Sequence, residues 1–196
     1  MTISAWDEAY TRSVPAAWDI GRPQKAFIRL ADAGLFCGRL LDVGCGTGEH
    51  AMLAASRGAD ALGVDMSPLA IEQARAKAKD RGLTARFEVG NALELGQLGV
   101  TFDTVIDSAL FHNLDDDERG LYVAGLTAVV PPGGLCYLMC YSDRQPGDAI
   151  RPRRIHQHEL RDSFSGGWTV ISIIPDILEL NYSTEAEAWL ATVQRK

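Results

Sequence analysis

The residues whose types and spacing can do chemistry are concentrated in one stretch, Arg39-Leu-Leu-Asp-Val-Gly-Cys-Gly-Thr-Gly-Glu-His50. Leu40, Leu41 and Val43 read as the end of a buried strand, and Gly44, Gly46 and Gly48 as a tight turn. The run from Glu49 to Ser56 reads as a helix closed by Gly58. A strand, a glycine turn and a helix N-terminus together cradle a nucleotide-like ligand, because backbone N–H groups can approach it closely. A dinucleotide fingerprint needs G-x-G-x-x-G, whereas Glu49 stands at the last position and the spacing is G-x-G-x-G. Asp42 and Glu49 flank the turn, where they would repel a pyrophosphate. A ligand that is cationic at this end fits better.

S-adenosylmethionine is such a ligand, with an α-ammonium, a sulfonium and no phosphate. The stretch resembles motif I of the class I S-adenosylmethionine-dependent methyltransferases. The resemblance implies that Gly44, Cys45, Gly46 and Gly48 lie against the methionine part of the cofactor. It also implies that Asp42 reaches the ammonium group, directly or through water. A turn with only a packing role is the alternative. Ala61-Leu-Gly-Val-Asp65 reads as a second strand ending in an acid, 21 residues after Gly44, the separation at which an acid accepts hydrogen bonds from ribose hydroxyls. Met66 beside it joins the expected cofactor contacts. Ser67 then caps a helix that has Pro68 in its first turn, Lys77, Lys79 and Arg81 near its end, and Gly82 closing it. Ala85 to Gly90 reads as a third strand, followed by Asn91-Ala92. The family usually has aspartate there, bonding the adenine amino group; the amide oxygen of Asn91 can accept the same bond.

Phe102 to Asp107 is the expected fourth strand, and Ser108-Ala-Leu-Phe-His112 its exit loop. Ligands in open α/β sheets sit outside the carboxyl ends of strands, so this loop faces the active site. Methyl transfer is an in-line displacement on an activated carbon, and it needs a base only when the methyl acceptor holds a proton at neutral pH. His112 is the best-placed titratable candidate, since histidine titrates near neutrality, although such a residue can equally lock the loop. Tyr10 and Asp107 are weaker catalytic candidates, and Asp107 can instead hold the loop or contact the cofactor. The amino-methyltransferase signature Asn-Pro-Pro-Tyr is absent.

The elements that position these groups follow in order. Residues 1–36 carry Trp6, Tyr10, Trp18 and Phe27, with a turn at Gly21 and Pro23 and a helix expected from Gln24 to Ala33. The run Trp18-Asp-Ile-Gly-Arg-Pro-Gln24 resembles the thiopurine- and halide-methyltransferase-like branch, where this segment folds over the cofactor and closes the substrate pocket. A plain N-terminal brace is the alternative. After the core, a helix is expected from Arg119 to Val130, with Asp115, Asp116, Asp117 and Glu118 at its N-terminus, where acids suit the helix dipole; no metal is expected. A fifth strand runs from Leu135 to Tyr141. Residues 142–155 carry Arg144, Arg151, Arg153 and Arg154 and read as a second lid; these arginines are solvated, or one binds an anionic oxygen. A short helix over 156–164 and strands at 168–174 and 186–193 complete the chain.

The 196 residues suit one domain: 1–36 as lid or brace, 37–141 as cofactor-binding core, and 142–196 as substrate-side loop and closing strands. The expected fold is α/β, a doubly wound, mostly parallel seven-stranded sheet with an antiparallel last strand. A net charge of −7 argues against a nucleic-acid partner, which needs a basic face. No apolar run approaches a membrane span, and no signal peptide is evident, so a cytoplasmic location is expected. Cys136 and Cys140 would lie on one strand, roughly 13 Å apart at about 3.3 Å per residue, too far for a disulfide; they and Cys45 read as core or filler residues. The 18–24 run, Asp107 to His112 and Pro152-Arg-Arg154 are together similar to small actinobacterial methyltransferases of heterocyclic toxins such as hydroxyquinolones. The expected activity is S-adenosylmethionine-dependent methylation of oxygen or nitrogen on a small heteroaromatic or phenolic molecule, by a monomer or weak homodimer. A thiol or halide methyl acceptor, or a non-catalytic cofactor-binding module, are the alternatives.

Overall fold

Short apolar runs punctuated by glycines and acids alternate with amphipathic runs, and the chain folds accordingly. The computed structural model describes residues 3–12, 14–147, 152–181 and 184–196. In order they form α1 (Ile3–Thr11), α2 (Lys25–Asp32), β1 (Arg39–Val43), α3 (Glu49–Ser56), β2 (Asp60–Asp65), α4 (Pro68–Asp80), β3 (Arg86–Val89), β4 (Thr104–Ser108), α5 (Asp116–Val129), β5 (Leu135–Tyr141), α6 (Gln157–Ser163), β6 (Trp168–Leu180) and β7 (Thr184–Arg195). Two 3-10 segments, Ala92–Leu98 and Phe111–Asn113, lie in the connections after β3 and β4.

The seven strands form one sheet in the order β3-β2-β1-β4-β5-β7-β6. β1 to β5 are parallel, and β7 runs antiparallel between β5 and β6. The class I methyltransferase fold expected from sequence is therefore the fold observed. Strand order reverses between β1 and β4, so the loops leaving these two strands part in opposite directions and open a crevice at the carboxyl edge. One face of the sheet packs Phe102, Phe111, Tyr122, Leu126 and Trp168. The other packs Phe27, Phe36, Met52, Ile71 and Phe87. Burying a side chain such as Phe27 stabilises the fold by about 1.5–3 kcal/mol.

The caps follow from local chemistry. Ser67 accepts a hydrogen bond from Ala70 N–H at 3.1 Å, with Pro68 in the first turn of α4. Asp115 and Glu118 form a reciprocal capping box on α5, which accounts for those two acids. Cys45, Cys136 and Cys140 are buried.

Two expectations need correction. β6 and β7 run well past the expected limits of 168–174 and 186–193. Pro175 and Asp176 look like a strand end, but β6 lies on the sheet edge, where proline is tolerated, and Pro175 stays in register with Trp189. The N-terminal segment also holds a helix that was not expected, α1, tied to α4 by Ser67 Oγ donating to Asp7 and Gln73 Nε2 donating to the Tyr10 carbonyl. Among the described residues no helix is long and apolar enough to cross a membrane.

Candidate active site

The turn after β1 is pinned from β2. Gly44 and Cys45 N–H both donate to the Val64 carbonyl, at 2.8 and 3.1 Å, and Gly46 N–H donates to Asp65 Oδ2 at 2.8 Å. Gly46 has φ +51, and a Cβ built on it would lie 3.0 Å from the Tyr10 hydroxyl. The glycine turn is thus a cradle with an aromatic roof. Asp65 Oδ1 also accepts Ser67 N–H at 2.9 Å; burial raises the pKa of this carboxyl while the Ser67 and Gly46 N–H groups lower it.

Asp42 is placed differently from the simplest expectation. Its carboxyl is buried beneath the turn, accepts Ala51 N–H at 3.0 Å, and does not line the cavity. Burial, opposed by that bond, pushes its pKa up to about 8. Glu49 is equally changed by context. Lys77 and Arg81 approach its carboxylate at 3.1 and 2.7 Å, so the repulsion expected from this side chain is largely offset. Gly48 also stays out of the cavity; it starts α3 with φ +85, and a Cβ there would meet Phe87 at 2.5 Å.

The segment before β1 closes over the turn. Trp18 Nε1 donates to Tyr10 Oη at 3.2 Å, and Trp6 packs edge-on against Trp18 with ring centroids 5.6 Å apart. Burial, then the charge of Asp65, raises the Tyr10 pKa above its ordinary value. Asp19 accepts the Thr47 hydroxyl at 3.0 Å, joining this segment to the glycine turn. On the far side Asn181 donates to the Ala16 and Asp19 carbonyls at 2.6 and 2.7 Å. His50 Nε2 accepts Gln24 N–H at 3.1 Å, and burial lowers its pKa to about 4.

The exit of β4 forms the opposite wall. Asp107 is fully buried; Oδ1 accepts Leu110 N–H at 2.9 Å and Oδ2 accepts the Tyr122 hydroxyl at 2.9 Å. It holds the loop and does not line the cavity, and burial pushes its pKa up to about 7. Ala109 adopts φ +73, a strained conformation for a residue with a Cβ, and its carbonyl is gripped by Asn113 Nδ2 at 2.8 Å. His112 reaches the cavity with Nδ1 accepting Tyr141 N–H at 3.1 Å.

These walls enclose a cavity of about 360 Å³. Of the residues expected from sequence, Tyr10, Trp18, Gly44, Cys45, Gly46, Asp65, Met66, Asn91, Ala92 and His112 line it, whereas Asp42, Gly48 and Asp107 do not. Asn91 caps the following 3-10 segment, its Oδ1 accepting Leu93 N–H at 3.0 Å. Asp19, His50, Tyr141 and Leu178 also line it and were not singled out as site residues. Asp19 and His50 lie within the quoted runs 18–24 and 39–50 and were within reach of the sequence; Tyr141 and Leu178 come into place only through sheet pairing. The three described arginines of the expected second lid, Arg144, Arg153 and Arg154, make contacts within the protein. Arg153 pairs with Asp116 and Glu159, Arg154 donates to the Gly147 and Pro146 carbonyls, and Arg144 lies 3.9 Å from Glu187. Arg151 is outside the described residues. Pro152 alone of the Pro152-Arg-Arg154 run lines the cavity.

A carboxyl-edge crevice at the strand-order reversal, a glycine turn under an aromatic roof and an acid at the tip of β2 define a class. The chain belongs to the class I S-adenosylmethionine-dependent methyltransferases, and its cofactor is S-adenosylmethionine. The family described as "Methyltransferase domain" matches residues 40–134. The 2-heptyl-1-hydroxyquinolin-4(1H)-one methyltransferase of Mycobacteroides abscessus is 35% identical over 167 residues, covering 84% of this chain and 73% of that protein. A ubiquinone biosynthesis O-methyltransferase of Rhizobium etli is 30% identical over 132 residues, covering 62% of this chain and 52% of that one. A solved structure concerned with "Conversion of a Disulfide Bond into a Thioacetal Group during Echinomycin Biosynthesis" superposes with TM-score 0.90 at 35% identity, over 99% of this chain and 93% of that chain. Magnesium protoporphyrin IX methyltransferase from Synechocystis PCC 6803, with bound SAH, shares the fold at TM-score 0.69 and 18% identity, over 87% of this chain and 80% of that chain.

Proposed function

We propose that this enzyme methylates an oxygen or nitrogen of a small heteroaromatic or phenolic molecule. The observation that carries the reading is the cavity itself. Beside the glycine turn it is walled by Trp6, Tyr10, Trp18 and Tyr141, a set that suits a flat, partly apolar ring. The residues present fit the cofactor. Gly44, Cys45 and Gly46 would hold its methionine part, Asp65 the ribose hydroxyls, and Met66, Asn91 and Ala92 the adenine, with Asp42 supporting the turn from below. When bound, S-adenosylmethionine supplies a methyl group already activated by a sulfonium. The protein aligns the ring with that carbon and excludes water, and orientation alone contributes several kcal/mol.

The Mycobacteroides relative's name supports an N-hydroxyquinolone-like ring as the methyl acceptor. The equally similar disulfide-to-thioacetal protein favours a second reading, a sulfur acceptor, in keeping with the likeness of the 18–24 run to the thiopurine and halide branch. Labelled methyl transfer to a panel of phenols, hydroxyquinolones, azaheterocycles and thiols tests both. Label on ring oxygen or nitrogen is the expected result. Label on thiols alone would replace the first reading by the second.

A further inference from the structure

The hydrogen-bond ladder between β4 and β5 ends one rung short, and His112 closes it. Ser108 pairs with Met139, and Ala109 N–H donates to the Met139 carbonyl at 2.9 Å. Ser142 N–H turns the other way, toward Glu187 of β7 at 2.9 Å. The Tyr141 N–H between them has lost its strand partner and donates to His112 Nδ1 at 3.1 Å. A ring nitrogen that accepts a hydrogen bond carries no hydrogen, so in the neutral imidazole the hydrogen sits on Nε2. The ring stays neutral, because burial and then the charge of Arg119 hold its pKa down at about 3. Nε2 meets no partner among the described residues, and the ring lines the cavity.

Several other polar groups of the cavity already have partners. His50 Nε2 is taken by Gln24 N–H. Tyr10 Oη already accepts from Trp18. Asp65 serves Gly46 and Ser67, Glu49 serves Lys77 and Arg81, Asp19 serves Thr47, and Glu118 serves the Asp115 N–H. Among the described residues the cavity offers donors at His112, Tyr10, Ser108 and Tyr141; neither of its histidines is free to take a proton, and each of its carboxylates already accepts a hydrogen bond.

Resting on the methyltransferase reading above, we infer that His112 is a fixed hydrogen-bond donor through Nε2–H and that the methyl acceptor enters with its oxygen already ionised. The class implied is a heteroaromatic ring with an acidic hydroxyl, on a ring nitrogen or conjugated with one. The oxyanion lone pair forms the new C–O bond as the C–S bond breaks, and the C–S electron pair stays on sulfur. The negative oxygen and the positive sulfonium both become neutral, and no proton passes to the protein. The donor orients the oxyanion and favours the ionised form.

Two substitutions divide the roles of the ring. His112→Asn keeps an oxygen near the Nδ1 position for Tyr141 N–H and removes the donor. His112→Gln keeps a donor near the Nε2 position and breaks the rung. The expected result is that Asn melts close to the parent but lowers kcat/KM about 10- to 100-fold, the scale of a hydrogen bond to a charged group. Gln melts lower yet retains more activity than Asn, on an ionised oxygen and on a phenol alike. If Asn spares the ionised compound and slows the phenol by about 10²–10⁴-fold, His112 is a base and the inference fails. If Gln is no better than Asn, His112 only fixes the loop and the inference fails again. Across a series of methyl acceptors the pH midpoint of kcat/KM should follow each compound's own pKa; a fixed midpoint would overturn the idea. Imidazole nitrogen spectra of the protein without substrate should show hydrogen on Nε2 and no titration of His112 between about pH 5 and 9. The opposite tautomer would refute the donor whatever the substrate is. No turnover with any compound would instead remove the methyltransferase reading of the cavity and the ionised acceptor with it.

Discussion

Arg22 forks onto Glu179, its two terminal nitrogens 3.0 and 3.1 Å from the two carboxylate oxygens, and so clamps the segment before β1 to the end of β6. Gln24 reinforces the clamp by exchanging hydrogen bonds of 2.8 Å with the Glu179 backbone on both sides. Glu179 is buried, while Arg22 is half exposed. The Arg22 hydrogen bonds hold the Glu179 pKa down at about 2. The roof over the cavity is therefore fastened by a bidentate pair whose arginine itself lines the cavity.

The clamp makes a pH prediction. A carboxylate whose folded pKa is depressed stabilises the protein above its unfolded pKa, and that contribution disappears as pH falls through the folded value. Glu179→Gln should lower stability at neutral pH by about 1–3 kcal/mol. The gap in Tm between parent and variant should close as pH falls from the ordinary glutamate value toward about 2. Melting curves across that range check it. A gap independent of pH would mean that the ion pair contributes nothing. Cofactor affinity should fall in the same variant, because Trp18 and Tyr10 belong to the clamped segment.

Asp107 makes the opposite prediction. Its folded pKa is raised to about 7, so its ionisation works against the folded state, and stability is lost as pH rises from the usual carboxylate range through that value. Asp107→Asn retains an oxygen for Leu110 N–H and offers an N–H to the Tyr122 oxygen. It should fold at least as stably as the parent near pH 8 and keep turnover within about threefold, the scale of a neutral substitution. Asp107→Ala leaves those groups unpaired and should cost about 1–3 kcal/mol. A loss of activity beyond about 10²-fold in the Asn variant would restore Asp107 as a catalytic base.

What could be read from sequence was what local chemistry decides. The strand, glycine turn and helix at 39–56, the acid at Asp65 and the Ser67 cap each depend on neighbours within a few residues. The strand-helix alternation and the antiparallel close also came through, because hydrophobic runs and turn residues mark them. Asp42 was harder, since its carboxyl direction depends on where α3 presents the Ala51 N–H. The protonation pattern of His112 depends on the Tyr141 N–H, 29 residues away and freed only because β4 ends early. α1 is tied to α4 through Asp7 and Tyr10, contacts that span about a third of the chain and leave no periodic mark.

The two glycines of the turn that carry different burdens should fail differently. Gly48→Ala places a Cβ 2.5 Å from Phe87 and 2.9 Å from Ala74, within packed core and at positive φ. It should lower stability by about 1–3 kcal/mol, the usual cost of overpacking or backbone strain. Gly46→Ala shares the strain of a positive φ, at +51, but its Cβ meets only the end of the Tyr10 ring, with the hydroxyl at 3.0 Å, which can give way by moving the roof. Its main loss should be in binding S-adenosylhomocysteine. Thermal melts and titration calorimetry of both variants test the reversed order; a Gly46 variant that binds normally would mean that Tyr10 does not cover the cofactor.

The last prediction concerns Asp65, the acid at the tip of β2. It already accepts backbone hydrogen bonds from Gly46 and Ser67, so one carboxylate both shapes the glycine turn and faces the cavity. Each oxygen has a further lone pair for a ribose hydroxyl. S-adenosylhomocysteine should raise the Tm of the parent by mass action, and NAD should not. Asp65→Ala should weaken S-adenosylhomocysteine by about 1.5–3 kcal/mol, roughly ten- to a hundredfold and more. Asp65→Asn separates the two duties, because its one amide oxygen can keep a backbone N–H while the second acceptor becomes a donor. It should sit between parent and Ala in affinity and show a smaller loss of stability than Ala. Comparing S-adenosylhomocysteine with its 2′-deoxy analogue in both variants isolates the ribose contact. The analogue should bind the parent more weakly and the Ala variant with no further penalty. An equal penalty in parent and Ala variant would show that the hydroxyl is held elsewhere and that Asp65 serves the turn alone.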